Sequence, residues 1–482
     1  MARFPNPVRL LILAVGRALA RAGLIDGERA RRTADLSWPR IVTGLARMSK
    51  NAVDVAMVGL AVGPVAIAGI GFASPYWGVA FSLGGGIAGG TIALVSQRYG
   101  AEAYDELGVA IRASAAVVVA ITLPVTAAFW LFPTELVSLL SDDARAVELG
   151  AEYLRLLALG VPFAGLNLVG SRIYIGADDS WTPMLVRGGG ALSNIAFNAA
   201  FIFGLGMGVT GAALGTVLAN VLVTAAFVAG LVWGRLPGVG DLPLSVDPFG
   251  SYLHRETVED VVRIGAPVVG RNGIWTVAKF PMLAIVGLFG PTVVAAYVIT
   301  RRILGLMNTP GWGFSLASSS LVGQELGEGD ERAAEAFGRE IVLFSVATYL
   351  VAAALVAAFA KPIVLLFVGD AGSETVPVAV GLVYAACVAV VPQAVKGAAS
   401  GPLTASGDTR WPFYSQALGM FGVAIPLAYL GAVTPLGIVG IYLSLLAESS
   451  VPAVINYYRF STGKWKDISR EFRPEEGTPA DD

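Results

Sequence analysis

The chain of 482 residues is 55% hydrophobic and 14% charged, with a mean hydropathy of +0.69. A soluble domain carries roughly 25% charged residues, so most of this surface is made for lipid and a soluble enzyme is excluded. Net charge is −2, from 33 basic and 35 acidic residues, which gives no footing for a nucleic-acid partner, and the single cysteine (Cys387) and single histidine (His254) exclude disulfides and Cys/His zinc sites.

A helix crossing about 30 Å of hydrocarbon needs roughly 20 residues, which leaves room for a dozen spans. The chain opens with residues 1–38, where the apolar run from Leu10 to Val15 is interrupted by Arg17 and Arg21. No small-residue cleavage site precedes Glu28-Arg29-Ala30-Arg31-Arg32. This predicts an amphipathic helix on the cytoplasmic face of the membrane rather than a cleaved signal. Apolar runs then predict twelve helices, at 39–62, 66–97, 110–132, 149–174, 184–204, 208–233, 262–288, 292–322, 339–360, 377–404, 413–431 and 437–458.

With that count the basic residues sort by side. One side receives the N-terminus with Arg29, Arg31 and Arg32, loops holding Arg98, Arg187, Arg235, Arg255, Arg332 and Arg410, and the tail with Lys464, Lys466, Arg470 and Arg473. The other side receives Arg145 and Lys361 alone. The asymmetry predicts cytoplasmic termini in a multi-pass protein of the inner or plasma membrane.

The two halves repeat. Gly63-Pro64 recurs as Gly290-Pro291, Gln97 as Gln324 and Gly100 as Gly327, at an offset of 227. Asp179 and Pro183 recur as Asp408 and Pro412, and Gly208 and Gly211 as Gly437 and Gly440, at 229. Six helices repeated in the same direction predict an all-α integral membrane fold of two six-helix lobes, related by a pseudo-twofold axis along the membrane normal. The N-lobe spans 39–235, a cytoplasmic linker 236–261, the C-lobe 262–458 and a cytoplasmic tail 459–482. Such lobes enclose a central cavity and point to a transporter working by alternating access. Gly206-x-Gly208-x-x-Gly211 has the spelling of a dinucleotide fingerprint but no βαβ context, and reads as a tight turn between helices.

Particular residues resemble a known family. The segment from Pro39 to Gly59, ending Asn51-Ala52-Val53-Asp54-Val55-Ala56-Met57-Val58-Gly59, resembles the first helix of MATE (multidrug and toxic compound extrusion) transporters of the prokaryotic type. The segment from Gly176 to Met184, then Asn194, Phe201 to Gly204 and Gly208 to Thr216, is similar to the family's fifth and sixth helices, and Leu321 to Gly327 to the end of its eighth. The resemblance implies export of small organic compounds by antiport against sodium or protons, with no cofactor beyond the transported ion. It places the coupling cation, sodium included, at Asp54, with Asn167, Asn194, Asn198 and Thr216 as neutral members of the site. In these relatives a second aspartate stands where this chain has Asn198. An amide offers an oxygen but neither charge nor proton, so either coupling runs on Asp54 alone or the coupling ion differs.

The residues themselves add a charge argument. Asp54 lies near the middle of the first span, where a carboxylate costs about 2.5–3.5 kcal/mol, and helical spacing puts Arg47, Lys50, Asn51 and Asp54 on one face. Lys50 with Asp54 is either a structural ion pair or a carboxylate whose cation binding is coupled to substrate. Spans seven, eight and ten carry Arg271, Lys279, Arg301, Arg302 and Lys396 against a single deep acid, Glu448. Of these, Lys279, Lys396 and Glu448 are candidate cavity residues together with Arg47 and Lys50; the basic excess would favour zwitterions, anions or lipid phosphates, unless the bases pair with Glu448 and helix ends. Tyr76, Trp77 and Trp312 are candidates for a pocket wall or for packing. A flippase for an anionic lipid or lipid-linked precursor is the alternative to a multidrug exporter. A membrane enzyme is set aside, because no cluster of nucleophile, base or metal ligands lies in the spans. The expected partners are a small organic substrate and the bilayer, and the expected state is a monomer.

Overall fold

The computed structural model describes residues 6–473, nearly all of them in helices. The first, α1 (Pro7–Arg21), is capped by the Asn6 side chain, which accepts from the Val8 amide at 2.9 Å. It is followed by α2 (Gly27–Val62), α3 (Pro64–Gly100), α4 (Tyr104–Leu131), α5 (Pro133–Ser138), α6 (Ala144–Ala158), α7 (Val161–Gly176), α8 (Trp181–Ala199) and α9 (Gly208–Trp233). A two-residue ribbon, Arg235–Leu236 against Gly240–Asp241, separates these from α10 (Arg255–Gly287). Then come α11 (Pro291–Met307), α12 (Thr309–Gly327), α13 (Glu331–Ala358), α14 (Ala360–Val368), α15 (Thr375–Ala405), α16 (Arg410–Ala417), α17 (Ile425–Val433), α18 (Val439–Ser461) and α19 (Lys464–Phe472). Helix α8 runs on into a π-helical turn, Ala200–Gly204, and a second, Leu418–Ala424, joins α16 to α17.

Six single helices and the α16–α17 rod are long and apolar enough to cross a membrane: α3, α4, α9, α13, α15 and α18. Helices α6 and α7, bent by 52° at their junction, make an eighth rod. The remaining four rods, α2, α8, α10 and α11 with α12, coincide with expected spans but carry Arg47, Lys50, Asp54, Arg187, Arg271, Lys279, Arg301 and Arg302. These charges lower their hydropathy, and such a rod enters a membrane only with its polar face covered by protein or water. The twelve rods therefore divide by chemistry into eight that lipid alone accepts and four that it does not.

By packing, the described residues separate into two units: 42–269, and 6–41 with 270–473. The segment 236–261 packs with the first unit, where Arg112 donates to the carbonyl oxygens of Asp247 (2.8 Å) and Ser251 (3.1 Å). Residues 6–41 pack with the second unit, through Arg29 to Glu340 (2.6 Å) and Arg32 to Glu325 (3.3 Å), and are tied internally by Arg9 to Asp35 (2.8 Å). The chain changes unit inside α2 and again inside α10, a separation of 228 (269 − 41), which falls between the repeat offsets.

The repeated glycines have a local cause. Gly63 and Gly290 hold φ of +103° and +91°, values that a side chain resists, and each precedes a proline that opens a helix, α3 or α11. Inside the first unit, α3 uses glycine for close approach. A Cβ on Gly84 would lie 2.9 Å from Gly165 Cα of α7, and one on Gly90 would lie 2.7 Å from the Val261 carbonyl of α10. The second unit is built around α15, whose Ala386, Ala389, Val390 and Ala394 are buried in one apolar cluster with Tyr349 and Met282.

Candidate functional site

The first unit holds a cavity of about 490 Å³, lined from α2, α3, α6, α7, α8 and α9. Arg47, Lys50, Asn51 and Asp54 all open onto it from α2, as their helical spacing requires. The Lys50 Nζ lies 2.6 Å from Asp54 Oδ2. On the other side of the carboxylate, the Asn198 amide donates to Asp54 Oδ1 at 2.9 Å.

From Asp54 a chain of neutral polar groups runs away across three helices. The Asn198 amide also reaches Asn194 Oδ1 at 3.4 Å, and Asn194 donates to Thr216 Oγ1 at 3.1 Å. Thr216 is joined through its carbonyl to Asn220 (2.9 Å), whose side-chain oxygen accepts from Asn167 at 2.9 Å. Thr224 closes the chain by donating to Asn167 Oδ1 at 2.8 Å. The structure thus brings Asp54, Asn167, Asn194, Asn198 and Thr216 into one connected network. Asn220 and Thr224 belong to it as well, and their signal was the i, i+4 continuation from Thr216 along an otherwise apolar helix.

One atom in this network is left over. Asn198 Oδ1 is buried and has no hydrogen-bond partner, which normally carries a cost of about 1–3 kcal/mol. It sits against Gly215, where an added Cβ would lie 2.0 Å from that oxygen. Glycine at 215 is what allows α9 to approach the amide.

Arg187 requires a correction. The charge sorting places it in a cytoplasmic loop although the expected span 184–204 contains it; in the structure it lies inside α8 (Trp181–Ala199), seven residues, two turns, before Asn194, and lines the same cavity. The reason is that α8 begins at Trp181, capped by Asp179, whose Oδ1 accepts from the Trp181 and Thr182 amides at 3.0 and 2.9 Å. Arg98 likewise lies in the last turn of α3 and is buried, with Glu106 at 3.6 Å. Of the aromatic candidates, Trp77 lines the cavity together with Phe81 and Tyr153. Tyr76 instead donates to the Leu136 carbonyl and packs edge-on against Phe129, and Trp312 lies under the Arg40 guanidinium at 5.7 Å.

Three candidates gather elsewhere. Lys279, Lys396 and Glu448 belong to the second unit and do not line this cavity. There Arg301 Nη1 donates to both Glu448 oxygens, at 3.0 and 2.9 Å, and lies over the rings of Trp275 (5.4 Å) and Tyr297 (5.8 Å). Lys396 is buried, donates to Gln416 Oε1 at 3.3 Å and lies 5.1 Å from the Trp275 ring centre. Lys279 is exposed on α10. Gly206 and Gly208, at φ of +67° and +57°, form the turn between the π-helical end of α8 and α9.

The MatE family model matches residues 39–200 and 267–430, one match in each half. A probable multidrug resistance protein NorM of Bradyrhizobium diazoefficiens is 27% identical over 453 residues, covering 89% of this chain and 92% of that protein. The probable multidrug resistance protein YoeA of Bacillus subtilis is 23% identical over 448 residues, covering 90% and 94%. Among solved structures, an outward-facing multidrug resistance MATE transporter of the MOP superfamily superposes with a TM-score of 0.80 at 21% identity, over 96% of this chain and 100% of that one. A MOP superfamily transporter from Pyrococcus furiosus, described by a reversed polarity of its binding pocket, does so with a TM-score of 0.81 at 22% identity, over 97% and 99%. At these identities the structures share the fold.

Proposed function

The chain belongs to the MatE family of multidrug and toxic compound extrusion transporters, with the family's twelve-helix, two-lobe membrane fold, and from that premise we propose that it exports small organic compounds in exchange for a cation bound at Asp54. The coupling ion is sodium or the proton, and export proceeds by alternating access. The protein works as a monomer in the plasma membrane with both termini cytoplasmic. The names of its relatives, multidrug resistance proteins of similar length, support export of soluble compounds over transfer of lipids.

The observation that carries the reading is the setting of Asp54. It is the one carboxylate lining the cavity among the described residues, and its two partners are both exchangeable. A cation arriving there displaces the Lys50 ammonium. Asn198 can answer by rotation, because its side chain offers an amide to a bare carboxylate or an oxygen to a bound cation. Carbonyl and hydroxyl oxygens of this kind suit sodium, and a proton needs the carboxylate alone. The driving free energy is the difference in cation affinity at this site between the two access states.

The test is efflux of a dye from proteoliposomes, with a sodium gradient and a pH gradient imposed separately. Asp54→Asn should lose gradient-driven efflux by at least about tenfold in rate, equivalent to about 1.4 kcal/mol in the barrier, while melting within a few degrees of the parent. Full transport by this variant would overturn the assignment.

A further inference from the structure

The cavity that holds Asp54 is positively charged. Its described lining contains three cations, Arg47, Lys50 and Arg187, against one carboxylate. Lys50 pairs with Asp54 at 2.6 Å, so the single carboxylate of the described lining already holds a cation. Arg187 makes no ion pair among the described residues, and its charged neighbours are two further arginines, Arg47 and Arg172. Arg172, on α7, has a buried Nη1 without a partner. Grouped like charges in a half-enclosed space raise one another's energy unless something of opposite sign enters.

The apolar part of the wall is aromatic. Phe81 lies under the Arg47 guanidinium at 5.0 Å, and Trp77 and Tyr153 stand on the same cavity. A volume of about 490 Å³ suits a drug-sized molecule, since pockets for such ligands run about 300–1,000 Å³. A guanidinium fork matches the two oxygens of a carboxylate or phosphate, and an aromatic wall matches a flat apolar body.

We infer that this transporter takes organic anions, compounds with a carboxylate or phosphate on an aromatic or apolar body, with the acid group held by Arg187 and Arg47 and the body against Trp77, Phe81 and Tyr153. This rests on reading the cavity as the substrate site. A cationic dye entering the same space meets a described wall that carries three cations and one carboxylate.

Binding separates this inference from the exporter reading because it needs no gradient. The full chain, purified in detergent, is titrated with benzoate, naphthoate and carboxyfluorescein, and in parallel with aromatic ammonium compounds of matched size, ethidium included. The acids should bind saturably, at least tenfold more tightly than their ammonium counterparts. Arg187→Gln should weaken the acids at least tenfold and Arg187→Lys less, with the melting temperature of each variant confirming the fold. A short-chain phosphatidic acid serves as competitor. Displacement of carboxyfluorescein by it would name a lipid phosphate as the source of the anion, and no displacement would name a soluble one; the anion class stands under both. No binding by any acid, tighter binding by the ammonium set, or acid binding indifferent to Arg187→Gln would overturn the inference. Ethidium bound and expelled with a gradient would overturn the anion site and keep the exporter, whereas acids bound but not moved by either gradient would keep the site and overturn the exporter.

Discussion

Asp54 in one unit and Glu448 in the other are acids within spans, each with a basic partner, yet the two pairs are built differently. Glu448 is gripped by both contacts from one arginine nitrogen, its side chain is 4% exposed, and two aromatic rings lie against the guanidinium. Asp54 has a single flexible ammonium and one amide, its side chain is 19% exposed, and it adjoins an open cavity. The first pair is closed on itself. The second leaves room and an unpartnered oxygen beside it, at Asn198. A charge at membrane depth is costly in both cases, so cost alone does not distinguish structure from function. What distinguishes them is whether the surrounding groups are already satisfied.

The comparison breaks first at Glu448. Glu448→Gln leaves the half-buried Arg301 beside an amide, and removing one partner of a buried pair costs about 3–5 kcal/mol, an upper bound here. A thermal melt in detergent should show a large loss of stability, with transport per folded molecule nearly unchanged. Replacing both members by leucine should recover much of that loss, because the uncompensated charge is gone. If Glu448→Gln melted like the parent and instead abolished transport, the two acids would have exchanged roles.

A smaller effect is expected at Gly215. Alanine there would place its Cβ 2.0 Å from Asn198 Oδ1, so the amide or the α8–α9 contact has to move, at about 1–3 kcal/mol for overpacking. Because the amide that moves is the one bound to Asp54, coupled efflux should fall more than stability does. Asn198→Ala is the control: it should cost coupling similarly while relieving the clash. Equal behaviour of Gly215→Ala and an alanine at a lipid-facing glycine would separate Asn198 from the coupling step.

Much of this was legible in the sequence, for identifiable reasons. Spans such as 208–233, the same residues as α9, are readable because hydropathy is a local sum. The face shared by Arg47, Lys50 and Asp54 is readable because helical spacing is fixed. Span starts were less so. Helix α2 begins at Gly27 rather than 39 because its charged first turns are held by Glu325 and Glu340 from distant helices, and no local pattern announces such partners. Arg187 counts with the loop residues in the charge sorting although the expected span 184–204 contains it; the Asp179 cap starts the helix at Trp181 and sets Arg187 well inside it. The deep bases are more numerous in the second unit, whereas the cavity forms around Arg47, Lys50 and Arg187 of the first.

The smallest predicted effect is also the most discriminating, because its sign depends on the charge of the substrate. Asp54→Asn frees Lys50 and adds one positive charge to the cavity wall, so an organic anion should bind a few-fold more tightly in detergent and a cation a few-fold more weakly, each a change of order 1 kcal/mol at the effective dielectric of such a site. A coupling cation at Asp54 neutralises the same carboxylate and acts with the same sign. For a cationic substrate, exchange would then follow from charge displacement within the cavity. For an anion it cannot, and the coupling cation has to favour the conformation that releases substrate by more than the charge effect favours retention. Measuring both dye classes on the parent and on Asp54→Asn therefore tests how the exchange is driven as well as what is carried, and tighter binding of cations by the variant would contradict both the charge count of the wall and the pairing of Lys50 with Asp54.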